Sequence, residues 1–169
     1  MNSEIYLRPW IKEDARQLAF VANNKNIWKN VRDSIPYPYT IHDAEKWIAY
    51  CHKQKPVVNF GVIYNAALVG SIGCVPKTDV YSKSIEIGYF IGEPYWDLGI
   101  ATQAVRILVD YIEKQFNVVR LYAEVFSYNK ASMHVLHKNG FYLEGIRRKS
   151  VIKNNVITDD YVWVKMLEK

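Results

Sequence analysis

The sequence predicts an α/β (α+β) domain whose strands first meander and then cross over. Three observations carry this prediction. Runs of alternating apolar residues cluster mid-chain, helix-spaced apolar patterns flank them, and no repeat or low-complexity linker divides the 169 residues. Half of the residues are hydrophobic and 23% are charged, enough apolar material for a sizeable core and against global disorder. One domain over residues 1–169 is expected.

Near the start, "IYLRPW" reads as a strand, and a helix follows over about Glu13 to Asn23. The segment "DSIPYPYT" is rich in turn formers, and Pro36 and Pro38 forbid a regular helix. Thr40 with Asp43 three residues later has the form of a helix N-cap, leading into a helix through "AEKWIAYCHK". Three extended runs come next: "VVNFGVIY", "ALVGSIGCV" and "SIEIGYFIG". Asn65-Ala66 connects the first two as a hairpin. In the third, Ile85, Ile87, Tyr89 and Ile91 share one face, and Glu86, Gly88 and Phe90 the other. Ala104, Ile107, Leu108, Tyr111 and Ile112 then keep helical spacing. The chain closes with the strand "VVRLYAEVF", the short helix "NKASMHVLHKNG" ending at Gly140, and the strands "FYLEGI" and "YVWVKML".

Charge and composition narrow the function classes. The net charge of +5 favours contact with anions. Its sharpest cluster, Arg147-Arg148-Lys149, fits a solvated strand end as well as a binding role at a phosphate group or an acidic partner. The two cysteines, Cys51 and Cys74, are far apart and read as reduced thiols. His134 and His137 can share a helix face but have no carboxylate at ligand spacing, so no metal is expected. No apolar run is long enough to span a bilayer, and "MNSEIYLRPW" lacks a signal-peptide layout, so a cytoplasmic location without membrane contact is expected.

The stretch "EIGYFIGEPYWDLGIATQAV", followed after one strand by "NKASMHVLHKNGFYLEG", resembles the GNAT acetyltransferase superfamily. It is most similar to the branch of ribosomal-protein N-terminal acetyltransferases that modify alanine or serine α-amines. "PYPYT" and "DAEKWI" also look like that branch, so the resemblance spans nearly the whole chain. The superfamily pattern Gln/Arg-x-x-Gly-x-Gly/Ala reads here Trp96-Asp97-Leu98-Gly99-Ile100-Ala101. Asp97 stands where glycine is more usual, and an acid beside a pyrophosphate must point to solvent. The resemblance implies a mixed, mostly antiparallel sheet flanked by helices, with a splayed strand pair forming an acetyl-CoA cleft.

Physical chemistry supports that implication. A turn over Leu98, Gly99, Ile100, Ala101 and Thr102 leaves backbone N–H groups without intrahelical partners, an anion site suited to pyrophosphate. Gly99 and Ala101 are small enough for close backbone approach. In the superfamily the helix from Asn129 lies beside the pantetheine, so Asn129 can hold its amide, or simply cap the helix. Backbone N–H groups near Phe90 and Ile91 would polarise the thioester carbonyl.

The resemblance places a base near Glu86, acting directly or through water; its ordinary alternative is an ion-pair partner for an arginine. Many relatives carry a tyrosine acid where Leu136 stands here, which cannot donate a proton. Ser132 resembles the branch's serine, which implies a hydroxyl that bonds or protonates the thiolate, its alternative being a backbone hydrogen bond. Tyr37, Tyr39 and Trp47 lie in the segment bordering the acceptor in relatives. Asp159 and Asp160 can attract a cationic amine, or form an ordinary strand-entry turn.

The expected activity is acetyl-CoA-dependent N-acetyl transfer to a primary amine, foremost a protein or peptide N-terminal α-amine, by direct attack on the thioester. The alternatives are a small-molecule amine such as a polyamine, amino sugar or antibiotic, and a non-catalytic acyl-CoA- or RNA-binding module. Nucleic acid is expected only by way of a ribosome, and the protein as monomer or homodimer.

Overall fold

The computed structural model describes residues 4–168. A seven-stranded sheet runs through it, in the spatial order β1-β2-β3-β4-β5-β7-β6. The strands are β1 (Ile5–Pro9), β2 (Asn59–Tyr64), β3 (Ala67–Pro76), β4 (Ser84–Ile91), β5 (Arg120–Phe126), β6 (Tyr142–Lys153) and β7 (Val156–Met166). The helices are α1 (Ala15–Ala22), α2 (Lys25–Trp28), α3 (Ile41–Cys51), α4 (Ile100–Gln115) and α5 (Lys130–Lys138). All neighbouring strands are antiparallel except β4 and β5, as a meander followed by a crossover requires.

Local chemistry fixes most of these elements. Asn65 and Ala66 both take positive φ, 48° and 66°, the backbone of a tight turn between β2 and β3. Thr40 Oγ1 accepts from Asp43 N at 3.2 Å while Asp43 Oδ2 accepts from Thr40 N at 2.8 Å, a reciprocal cap that starts α3. Gly140, at φ +79°, ends α5 in the left-handed region that favours glycine.

The sheet separates two apolar clusters. On one side Ile85, Ile87 and Ile91 of β4 meet Ile100, Leu108 and Ile112 of α4 and Leu136 of α5. On the other, Trp10, Leu18, Ile48 and Ile63 bury α1 and α3 against the sheet. The alternation expected for β4 therefore holds: Tyr89 packs with the isoleucines and Phe90 with the opposite cluster.

Three elements depart from the sequence reading. The first helix begins with a 3-10 turn over Lys12–Asp14, because Asp14 is drawn into an ion pair with Arg8 at 2.7 Å. The short α2 lies in what reads as irregular chain, started by Asn24, whose side chain accepts from Asn26 N and Ile27 N. The closing strands form a hairpin far longer than "FYLEGI" and "YVWVKML", turning at Asn154 and Asn155 with φ 50° and 60°. Among the described residues, no helix is long and apolar enough to cross a membrane.

Candidate active site

The parallel junction of the sheet is where a site opens. β4 and β5 pair only at Ser84↔Arg120, Ile85↔Leu121 and Glu86↔Tyr122, and beyond these residues they diverge. β3 stays paired with β4 through Gly70↔Ile91, so β4 keeps its course and β5 leaves it. A cavity of about 460 Å³ fills the divergence, reaching from the Asn30–Ile35 loop on one sheet face to Asn129 and Ser132 of α5 on the other. Glu86, Phe90, Asn129, Ser132, Trp47 and Asp160 all line it, so six of the site candidates singled out from sequence converge.

Hydrogen bonding along β4 decides which amides face this gap. Gly92 N donates to Val69 O at 2.8 Å, so Gly92 is bonded toward β3. Successive residues of a strand alternate, which turns the Phe90 amide toward β3 as well and leaves those of Tyr89 and Ile91 on the open side. This corrects the expectation for Phe90: its amide belongs to the β3–β4 ladder, and its ring packs with the second cluster.

The turn after β4 is held by Trp96, whose Nε1 donates to Ile91 O at 2.7 Å. Asp97 and Gly99 both adopt positive φ, 61° and 75°, and Asp97 is exposed, as an acid here must be. Gln103 N donates to Gly99 O, the first bond of α4, so the amides of Ile100, Ala101 and Thr102 precede any intrahelical acceptor. A Cβ built on Gly99 would meet nothing within 4 Å, so the turn presents open backbone to solvent. The Ile100 side chain is buried at 1% exposure, which anchors the helix and leaves only its backbone for binding. Leu98 is exposed, and Thr102 O accepts from Asn139 Nδ2 at 3.2 Å, which ties α4 to the end of α5. This geometry fits a pyrophosphate: amides and a helix N-terminus converge, with no side chain in the way.

On α5, Asn129 Oδ1 accepts from Ser132 N at 3.2 Å, so Asn129 caps the helix while lining the cavity. The Ser132 hydroxyl meets the Tyr89 hydroxyl at 2.9 Å. Burial pushes the Tyr89 phenol well above its ordinary pKa, against a smaller opposing pull from Ser132, so it stays protonated. Leu136, fully buried, is core.

Glu86 is an ion-pair partner in this conformation. Oε1 is bound by Arg32, and Oε2 accepts from Lys77 Nζ at 2.7 Å. Burial raises its pKa, but the Lys77 hydrogen bond and the Arg32 charge outweigh that and hold the carboxyl below its usual range. The network continues across the cleft: Arg32 reaches Glu124 at 2.8 Å, Glu124 reaches Arg147 at 2.7 Å, and Arg147 binds Asp160. Lys153 pairs with Asp33 at 2.5 Å and lies 4.0 Å from the Trp28 ring centroid, clasping the closing hairpin to the loop before α3.

Two acceptor candidates named from sequence lie outside this cavity. Tyr39 is 8% exposed within the second cluster, and Tyr37 packs tilted against Trp28, ring centroids 5.9 Å apart, without lining the cavity. Tyr39 N donates to Asn23 Oδ1 at 3.1 Å, which ties this segment to the end of α1. Sequence reasoning missed Tyr89, Arg32, Glu124 and Lys153. Arg147 is paired with Asp160 and Arg148 follows in a bulge of β6, bound to Asp159, so both guanidiniums are engaged by carboxylates of β7.

The sequence profile of the acetyltransferase (GNAT) domain matches residues 4–142. The chain belongs to this family. The GNAT chain is 32% identical to "Probable N-acetyltransferase YjcK" of Bacillus subtilis (strain 168) over 94% of its own length and 91% of that protein's. It is 26% identical to spermidine N(1)-acetyltransferase of Escherichia coli (strain K12) over 83% and 74% of the two chains. With ribosomal-protein-serine acetyltransferase of the same strain it shares 20% identity over 95% and 82%. Among solved structures, the GNAT fold superposes on Mycobacterium smegmatis RimJ in complex with CoA-disulfide with a TM-score of 0.85 at 19% identity, covering 96% and 81% of the chains. This GNAT protein is therefore an acetyl-CoA-dependent N-acetyltransferase, and the acceptors of its relatives are both protein and small-molecule amines.

Proposed function

We propose that this enzyme acetylates a protein or peptide N-terminal α-amine, with residues 1–169 acting as one N-acetyltransferase domain in the cytoplasm. The observation that carries the reading is the state of Glu86: both of its oxygens are engaged and its pKa lies below the usual range. Such a carboxylate is a weak proton acceptor, since a base works best with a pKa near the working pH. An α-amine, with a pKa of about 8, is already partly neutral there, whereas an alkylamine at about 10.4 requires roughly 3 kcal/mol more to deprotonate. The site suits the amine that needs least help. Relatives named for ribosomal-protein acetylation are in keeping with it.

Acetyl-CoA supplies the activated acyl group. In our reading the amides of Ile100, Ala101 and Thr102 bind its pyrophosphate, with Leu98 and Gly99 shaping the approach, and Asn129 borders the pantetheine. The Ile91 amide orients the thioester carbonyl. Ser132, backed by Tyr89, holds the proton for the departing thiolate. Glu86 positions Arg32 over the cleft, and Trp47 forms the acceptor wall. Alignment of amine and thioester supplies much of the acceleration.

The test is thiol release from acetyl-CoA with peptides beginning in Ala, Ser or Met, beside polyamines, amino sugars and lysine. The expected outcome is peptide-dependent release, with mass spectrometry placing the acetyl on the α-amine. Release with polyamines alone would overturn the reading.

A further inference from the structure

We propose that Asp160 is the specificity-determining residue of the acceptor site: its Oδ1 takes a hydrogen bond from an N–H that the acceptor carries beside its reacting amine. The inference rests on the α-amine reading, because a peptide supplies this donor in its first peptide N–H.

Three sheet carboxylates line the cavity: Glu86, Glu124 and Asp160. Glu86 uses one oxygen for Arg32 and the other for Lys77. Glu124 gives Oε1 to Arg147 and Oε2 to Arg32. Asp160 differs. Its Oδ2 is held by Arg147, but Oδ1 is buried with no hydrogen-bond partner among the described residues, in a side chain of a residue only 2% exposed.

An ionised carboxylate can only accept, so the free oxygen calls for an N–H or O–H donor. Leaving a buried acceptor unpaired opposes folding, and folded proteins rarely do so without a reason. Asp160 sits on β7 opposite Phe126 of β5 and Arg147 of β6, one strand behind β5, and lines the cavity from there. Arg147 fixes the carboxylate and offsets its charge, so the oxygen is pre-oriented and suits a neutral donor better than a second ammonium. A peptide N–H matches this, and a polyamine chain does not.

The test compares two acceptors on the wild-type enzyme: an alanyl peptide and its depsipeptide, in which an ester oxygen replaces the first peptide N–H. We expect kcat/KM to fall at least about tenfold with the depsipeptide, mainly in KM, because only the acceptor bond is lost. Asp160→Ala should show that loss with the normal peptide and no further loss with the depsipeptide. Asp160→Asn should not recover it, because Arg147 claims the single amide oxygen and the NH2 left facing the acceptor can only donate; KM for acetyl-CoA should stay unchanged throughout. Equal kcat/KM for the two acceptors on the wild type would overturn the role of Asp160 and leave the α-amine reading standing. Transfer to other amines with none to any peptide would overturn both.

Discussion

The Tyr89 hydroxyl stands 2.9 Å from Ser132 Oγ, joining β4 to α5 where the sheet comes apart. One proton can thus be shared between a strand and a helix that no ladder connects. We expect Ser132→Ala to lower kcat by about 100-fold and Tyr89→Phe by about tenfold, since the phenol acts through the serine. Because burial raises the Tyr89 pKa, its ionisation should contribute no alkaline limb to the kcat profile below about pH 10. Steady-state kinetics across pH check both statements; an unchanged kcat in Ser132→Ala would remove the serine from the chemistry.

Glu86→Gln separates an anchor from a base. As an anchor of Arg32 and Lys77, the change should lower kcat by less than about tenfold, whereas loss of a base costs about 100-fold or more. It should destabilise the fold by about 1–2 kcal/mol at neutral pH, through the lost charge-assisted hydrogen bonds. The folded pKa of Glu86 is depressed, so its contribution is present above the unfolded carboxylate value. It is lost as the pH falls through the lower folded value. Melting curves of wild type and variant should therefore converge on acidification; a constant gap would contradict the assignment.

Gly99→Ala probes the phosphate turn. No atom opposes the added methyl, so the cost to the fold is the left-handed φ alone, about 1 kcal/mol or a Tm loss of about 2–4 °C. The methyl would stand where phosphate must approach, and calorimetry should find acetyl-CoA bound about tenfold more weakly. Unaltered affinity would move the pyrophosphate elsewhere.

Cys51 and Cys74 should be inert in the native protein. Burial pushes each thiol up to about 12, and their residues are 6% and 2% exposed. Treatment with iodoacetamide followed by intact-mass measurement should add no label to the folded chain and two after denaturation in urea.

Much of this was legible from short-range chemistry. The Asn65-Ala66 turn, the Thr40 cap and the start of α4 at Gly99 each depend on a few adjacent residues. So does the two-faced character of β4, which put Glu86 and Phe90 on one side. What escaped notice depends on distance. Arg32 meets Glu86 across 54 residues of chain, and Lys153 meets Asp33 across 120. No spacing rule links such positions. Tyr89 was hidden differently: its alternation groups it with core isoleucines, and only the divergence of β5 leaves its hydroxyl free to reach Ser132. The length of the closing hairpin was masked by the bulge between Arg147 and Val151, which breaks the alternation, although Asn154-Asn155 carried the turn signal.

Three residue pairs are the whole seam between β4 and β5. The sheet is therefore bound like a book along a short spine, with β1–β4 as one leaf and β5, β7 and β6 as the other. Changing the angle between the leaves breaks no ladder bond beyond the spine, because none exists there. Ion pairs across the opening, Arg32 to Glu86 on one leaf and Glu124 on the other, act as the clasp. In the proposed reading both substrates enter between the same pages, so whatever wedges the book open for one sets the gap that the other must fill.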